Sequence, residues 1–131
     1  MLLSAALSGC DPHRDERAEA RTLMTSLNAV SDEGSLVRRN AAIERLGRLP
    51  LRVEAHVQTR DVCRTAHLAL LEAEAAQAQA RRALAAGRTI DQTQSTVIAA
   101  DIERSNRALA TAKQRFPQCE TAMRELLRTA H

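Results

Sequence analysis

The chain has 131 residues, of which 44% are hydrophobic but only one, Phe116, is aromatic. Four Gly and three Pro are too few for the turns of a β-sandwich or barrel, so the composition favours one all-α domain of long, Ala-rich helices. The net charge is +3, but acidic and basic residues alternate along the chain, which is typical of a solvated helical surface and argues against a nucleic-acid partner.

The first ten residues are apolar and uncharged and end in Leu7-Ser8-Gly9-Cys10. These four residues resemble the lipobox of bacterial lipoproteins. The resemblance implies cleavage before Cys10, so that residues 1–9 are the remnant of a signal peptide and residues 10–131 form a single helical domain. It also implies acyl chains on Cys10, and two or three such chains anchor a protein stably. No Lys or Arg precedes Cys10, so we expect the basic part of the signal to lie upstream.

The first two predicted helices are short. Asp11 and Pro12 are typical of a helix start, with Asp as the N-cap and Pro as the first helical residue. Apolar residues at helical spacing then continue until residues 31–34 break the helix. A second helix is predicted over residues 35–49, and Pro50 ends it.

The next two predicted helices are long. The third covers residues 51–86, and Gly87 is predicted to take the left-handed conformation that ends it. The fourth begins within residues 90–95 and continues to residue 129, with Pro117 inside it. The two long helices therefore predict an antiparallel hairpin.

A heptad of apolar and small residues follows each long helix. When Cys63 is placed opposite Cys119, the two heptads align, and they predict an interface in which large residues face small ones. Gln77 and Ser105 are the predicted polar contact of this interface. The other predicted contacts pair Ala66 with Phe116, Leu70 with Ala112, Ala73 with Leu109, Ala80 with Ile102 and Leu84 with Ile98.

Cys63 and Cys119 are the two cysteines that follow the lipobox. An even pair in an exported chain indicates a disulfide, and each cysteine lies on the predicted seam of its own helix. The alternative is a pair of buried free thiols in a cytosolic helical protein.

The helix lengths predict a four-helix bundle-like shape in which the two shorter N-terminal helices pack on one half of the long hairpin. The uncovered end, around residues 87–94, is predicted to project as a two-helix arm. We expect a partner protein to bind this arm, because apolar and basic residues remain on it outside the seam. The predicted partner surface consists of Leu71, Arg81, Arg82, Arg88 and Val97.

The chain contains no motif for catalysis, so we expect no enzymatic activity. Four scattered Gly make no phosphate-binding loop, and Ser105 has no His near it in sequence. His56, Cys63 and His67 share a helix face but lack the converging ligands of a metal site, so no metal and no cofactor is expected.

These features predict a membrane-anchored lipoprotein at the periplasmic face of the inner or outer membrane. It would contact the membrane through its lipid, and it would bind an unidentified envelope protein through its helices. Two alternatives stay open: a helical bundle that binds a small ligand or a metal, and a cytosolic helical adaptor.

Overall fold

The computed structural model describes residues 11–87 and 89–131, so the lipobox and Arg88 lie outside the described residues. This part of the chain forms four helices and no strand: α1 (Pro12–Asp32), α2 (Leu36–Gly47), α3 (Glu54–Ala85) and α4 (Gln92–Ala130). The predicted all-α fold, with two shorter helices packed on a long helical hairpin, is confirmed. At 1.5 Å per residue, α3 is about 48 Å long and α4 about 58 Å long.

Local sequence explains where most of these helices begin. The Asp11 carboxylate accepts a hydrogen bond from the His13 backbone N–H at 3.0 Å, as predicted for an N-cap. At the start of α4, Asp91 and Gln94 form a capping box in which each side chain accepts a hydrogen bond from the backbone N–H of the other. Gly87 has a φ of 66°, the left-handed conformation predicted after α3.

The four helices share one hydrophobic core at one end of the hairpin, which we call the base. All four helices contribute fully or almost fully buried side chains to it, and the half-buried Leu71 and Phe116 pack against it. The buried core residues are Ala20, Leu23, Leu27, Val30, Ala42, Ile43, Leu46, Cys63, Ala66, Cys119, Leu126 and Ala130. The base is therefore where most apolar area leaves water.

The rest of the hairpin extends beyond this core. The core includes no residue of α3 after Leu71 and no residue of α4 before Phe116. The ion pair of Arg39 in α2 with Glu74 in α3 marks the upper edge of the base. We call residues 75–87 and 89–109, which extend beyond this edge, the arm. All residues from 81 to 87 and from 89 to 97 are exposed, which agrees with the predicted projecting end.

The interface between α3 and α4 differs from the predicted one. Most of its buried positions in the arm are small, namely Ala76 and Ala80 on α3 and Ser105 and Ala108 on α4, and Ile98 is a large buried residue near the tip. The predicted contact of Gln77 with Ser105 is wrong, because Gln77 is exposed and the Ser105 hydroxyl donates to the Ala73 carbonyl at 2.9 Å.

Three large residues of the predicted seam lie partly outside the interface, whereas Ile98 is buried as predicted. Leu84 is 56% exposed, Ile102 45% and Leu109 38%, so the predicted pairing of large with small residues is wrong along the arm. The physical reason is the close approach of the helices, since the Ser105 hydroxyl of α4 reaches the Ala73 backbone carbonyl of α3 at 2.9 Å. Helices this close favour small residues such as Ala and Ser at most positions between them.

Candidate functional site

The predicted proximity of Cys63 and Cys119 is confirmed. Their sulfur atoms lie 2.06 Å apart, at bonding distance, and both residues are buried in the base. The bond joins residues 56 apart in sequence and so holds α3 against α4 within the base. A buried disulfide has a structural role here, because solvent thiols cannot reach its sulfur atoms without opening the core.

A carboxylate from α1 caps the start of α3. The Glu19 side chain accepts hydrogen bonds from the backbone N–H of Arg52 at 2.9 Å and of Val53 at 3.0 Å. It also contacts the His56 Nδ1 atom at 2.8 Å. Burial raises the pKa of Glu19, but the two backbone hydrogen bonds and His56 outweigh burial and hold the pKa below its ordinary value. This contact joins α1 to the end of the hairpin farthest from the arm.

Glu19 is a residue that the sequence analysis missed. Val53, the N-cap position of α3, makes no side-chain capping hydrogen bond. A long helix that begins without Ser, Thr, Asp or Asn at its N-cap leaves backbone N–H groups that need an acceptor from elsewhere. The missing capping side chain at Val53 was the sequence feature that could have indicated an acceptor from elsewhere, but it does not identify Glu19.

A small cavity lies where the base meets the arm. It has a volume of about 270 Å³, and Val30, Leu70, His67 and Phe116 form part of its wall. The rings of His67 and Phe116 meet edge to face with centroids 5.1 Å apart. Burial, together with the positive charge of Arg39, lowers the pKa of His67, so its imidazole is neutral at neutral pH.

The described residues contain no group of three His, Cys, Asp or Glu side chains that could hold a metal ion. His56 is bound to Glu19, His67 packs on Phe116, and Cys63 is bonded to Cys119. Each of the three residues that share this helix face in the sequence therefore has its own contact in the structure.

The predicted partner surface is divided by the structure. Leu71 is half-buried against the core and belongs to the base, so its placement on the arm is wrong. Arg81 and Arg82 are exposed on the arm, and Val97 is 56% exposed. Arg88 lies outside the described residues.

Two different apolar surfaces lie on the arm. Leu84, Ile102 and Leu109 form the first, which we call the stripe. The second is a cleft of about 260 Å³ near the tip of the arm, which we call the tip cleft; its lining includes Ala83, Ile90 and Val97. Leu84 and Ala83 are successive residues of α3, so their side chains point about 100° apart and the two surfaces lie on different sides of the hairpin.

None of the helices in the described part of the chain combines the length and apolar character needed to cross a membrane. No family model matches the chain, no curated protein matches it, and no solved structure matches it.

Proposed function

We propose that this protein is a lipid-anchored lipoprotein of the bacterial cell envelope whose arm binds another protein. The observation that carries the proposal is the exposure of large aliphatic side chains along the arm. Mostly Ala and Ser fill the contact between α3 and α4 in the arm, so several larger side chains, among them Leu84, Val97 and Ile102, are exposed to solvent. A cluster of exposed aliphatic residues on a rigid helical element is typical of a protein-binding surface.

The position of α1 supports an anchor at the opposite end of the molecule from the arm. The Arg21 side chain donates to the carbonyl of Ala130, the last residue of α4, at 3.0 Å. His13 of α1 and His131 also line one shallow cavity. The start of α1 thus lies about 48 Å, the length of α3, from the tip. An acyl chain on Cys10, directly before Asp11, would hold the base at a membrane surface and direct the arm away from it.

Lipidation is tested first, in the gene with its upstream codons. Cys10→Ser is compared with Ser8→Ala, which keeps a small residue in the lipobox. Wild type and Ser8→Ala are expected to incorporate labelled palmitate and to sediment with membranes, whereas Cys10→Ser does neither. If Cys10→Ser keeps both the label and the membrane association, the lipoprotein assignment is refuted. If no variant is labelled, the cytosolic adaptor becomes the better description.

Partner binding by the arm is tested separately. Val97→Glu adds a charge to the tip cleft, and Gln79→Glu adds the same charge at an exposed polar position of the arm. After chemical cross-linking in intact cells, the wild-type protein and Gln79→Glu are expected to yield the same complexes, and Val97→Glu fewer or none. Equal complexes from all three proteins, each with wild-type circular dichroism, would remove the tip cleft from the proposal.

A second candidate function is the binding of a small apolar ligand, which the cavity beside His67 and Phe116 favours. A ligand that binds only the folded protein raises its melting temperature. Screening small aromatic and aliphatic compounds by thermal shift, with Phe116→Leu as the comparison, tests this function. A ligand that stabilises both proteins equally does not occupy the cavity.

A further inference from the structure

We propose that the stripe binds an acidic amphipathic helix of the partner protein. This inference depends on the proposed function of the arm, and it adds the surface that is used and the chemistry of the partner. It is carried by three observations: the stripe continues the groove that α1 occupies, the bare length suits a short helix, and unpaired basic residues border it.

The stripe continues a surface that a helix already covers in the base. Along α4, Ile102, Leu109 and Phe116 are seven residues apart, and along α3, Leu84 lies two heptads after Leu70. Residues at heptad spacing share one side of a helix. Leu70 and Phe116 line the cavity together with Val30 of α1, so α1 packs on this side of the hairpin. Above the end of α1, the same groove is empty of protein in the described part of the chain.

The length of the empty groove indicates what can fill it. The arm includes residues 75–85 of α3, which extend about 16 Å at 1.5 Å per residue. This length matches a helix of about three turns, which is close to the average helix length in globular proteins, and such a helix can present apolar residues to a groove. Such a helix would lie end to end with α1 and pack on Leu84, Ile102 and Leu109 as α1 packs on Leu70 and Phe116.

The charges at the edges of the groove favour an acidic occupant. Arg81 lies seven residues after Glu74 on the same edge of α3, and Lys113 lies one turn after Leu109 on α4. Neither has an ion-pair partner within the described residues, whereas Glu74 is neutralised by Arg39. The other arginines of the arm portion of α4 are already paired, because Arg104 contacts Asp101 at 3.2 Å and Arg107 contacts Glu103 at 3.0 Å.

The same charges disfavour a second copy of this chain. Two stripes packed face to face would bring the Arg81 and Lys113 edges of both copies together, and like charges at helix interfaces destabilise the contact. A partner with Asp or Glu beside its apolar positions has complementary charge, so it can form favourable ion pairs with Arg81 on one edge and Lys113 on the other.

The stripe is tested first by photo-cross-linking in the cell that produces the full anchored protein. Benzoylphenylalanine replaces Leu84 or Ile102 on the stripe, Val97 in the tip cleft to report on the other apolar surface of the arm, and Gln79 as the matched control. Leu84 and Ile102 are expected to cross-link one segment of another protein, and mass spectrometry should show Leu, Ile or Val at helical spacing in it, flanked by Asp or Glu. Cross-links only to a second copy, only to lipid, or to a neutral or basic segment would overturn the proposal.

The charge complementarity is tested in solution with two synthetic helical peptides as probes. Both carry Leu at heptad positions, and their flanking positions are Glu in one and Lys in the other. The Glu peptide is expected to bind the wild-type protein more tightly than the Lys peptide. Arg81→Glu and Lys113→Glu should each lower the affinity of the protein for the Glu peptide by about fivefold or more. Arg107→Glu, which makes the same change of charge, should leave this affinity unchanged. Binding that is equal for both peptides, or equally weakened by all three variants, refutes the acidic partner.

The outcomes separate this inference from the proposed function. Cross-links from Val97 alone leave the arm as a protein-binding element but remove the stripe. No protein cross-link from any of the four positions removes both. Loss of palmitate labelling with stripe cross-links intact removes only the membrane anchor.

Discussion

The small-residue interface of the arm predicts opposite effects for the same side chain at two neighbouring positions. Ala76 is fully buried between α3 and α4, whereas Gln77, the next residue, is exposed. Ala76→Leu should therefore destabilise the protein, and Gln77→Leu should not. The heptads read from the sequence predict the reverse, because they place Gln77 inside the interface.

The expected magnitude follows from the space between the helices. Leu adds three carbon atoms at a position that has no exposed surface, and overpacking of this kind costs about 1–3 kcal/mol. At an exposed position such as Gln77, a substitution changes stability by less than about 0.5 kcal/mol. For a chain of this size, 1 kcal/mol corresponds to about 3–5 °C. We therefore expect Ala76→Leu to melt about 3–15 °C below the wild type.

Thermal and urea unfolding followed by far-ultraviolet circular dichroism measure both variants against the wild type. Equal slopes of the urea transitions are needed, since only then does a shifted midpoint report stability alone. If Gln77→Leu is the destabilised variant and Ala76→Leu is not, the heptads of the sequence describe the interface and the stripe is not exposed.

Three further predictions concern the base and the arm. Glu19 has a lowered pKa in the folded protein, so its contribution to stability is present above the ordinary glutamate value of 4.5 and is lost as the pH falls through the lower folded value. Glu19→Gln should therefore flatten the acid side of a plot of melting temperature against pH. An unchanged slope would contradict the capping role of Glu19. The double substitution Cys63→Ala with Cys119→Ala removes the disulfide and should lower the free energy of unfolding, measured in urea, by about 4 kcal/mol on the chain-entropy model. An unchanged urea midpoint would mean that the cysteines are not bonded in the folded protein. Ser105→Ala deletes the hydrogen bond to the Ala73 carbonyl without changing the backbone spacing, and should cost about 1 kcal/mol, which the same urea titration measures.

Helix ends could be predicted from the sequence because the forces that set them are local. Asp11 and Pro12 begin α1 where the capping rules place a start, and Gly87 takes the positive φ expected of it. The division into a four-helix base and a bare arm was also predictable, because helix lengths alone show that two short helices cannot cover two long ones.

The register of α3 against α4 could not be predicted in the same way. The positions of Ala76 and Gln77 differ by one residue, and both belong to series of small or apolar residues at heptad spacing. Hydrophobic burial favours turning Leu84 inward, whereas close backbone approach favours turning the alanines inward. Which of the two gains is larger depends on the distance between the helix axes, a tertiary quantity. The Glu19 cap is equally non-local, since 33 residues separate Glu19 from Arg52.

The alanine interface makes the arm less stable than the base, and hydrogen exchange can measure the difference. Several buried Leu, Ile and Val side chains hold the base, whereas small residues such as Ala76 and Ala80, with the single large residue Ile98, form the buried contact in the described part of the arm. An alanine buries less apolar area than a leucine. Amide protection should therefore fall in α3 past Glu74 and in the matching part of α4, because these segments open without unfolding the base.

Asp91→Ala removes the capping box at the tip and should lower the opening free energy of the arm by about 1 kcal/mol, with protection in the base unchanged. An acidic helix bound to the stripe should restore protection in the arm. Equal protection along the whole of α3, or an Asp91→Ala effect that extends to Leu23 and Ile43, would mean that arm and base unfold as one unit.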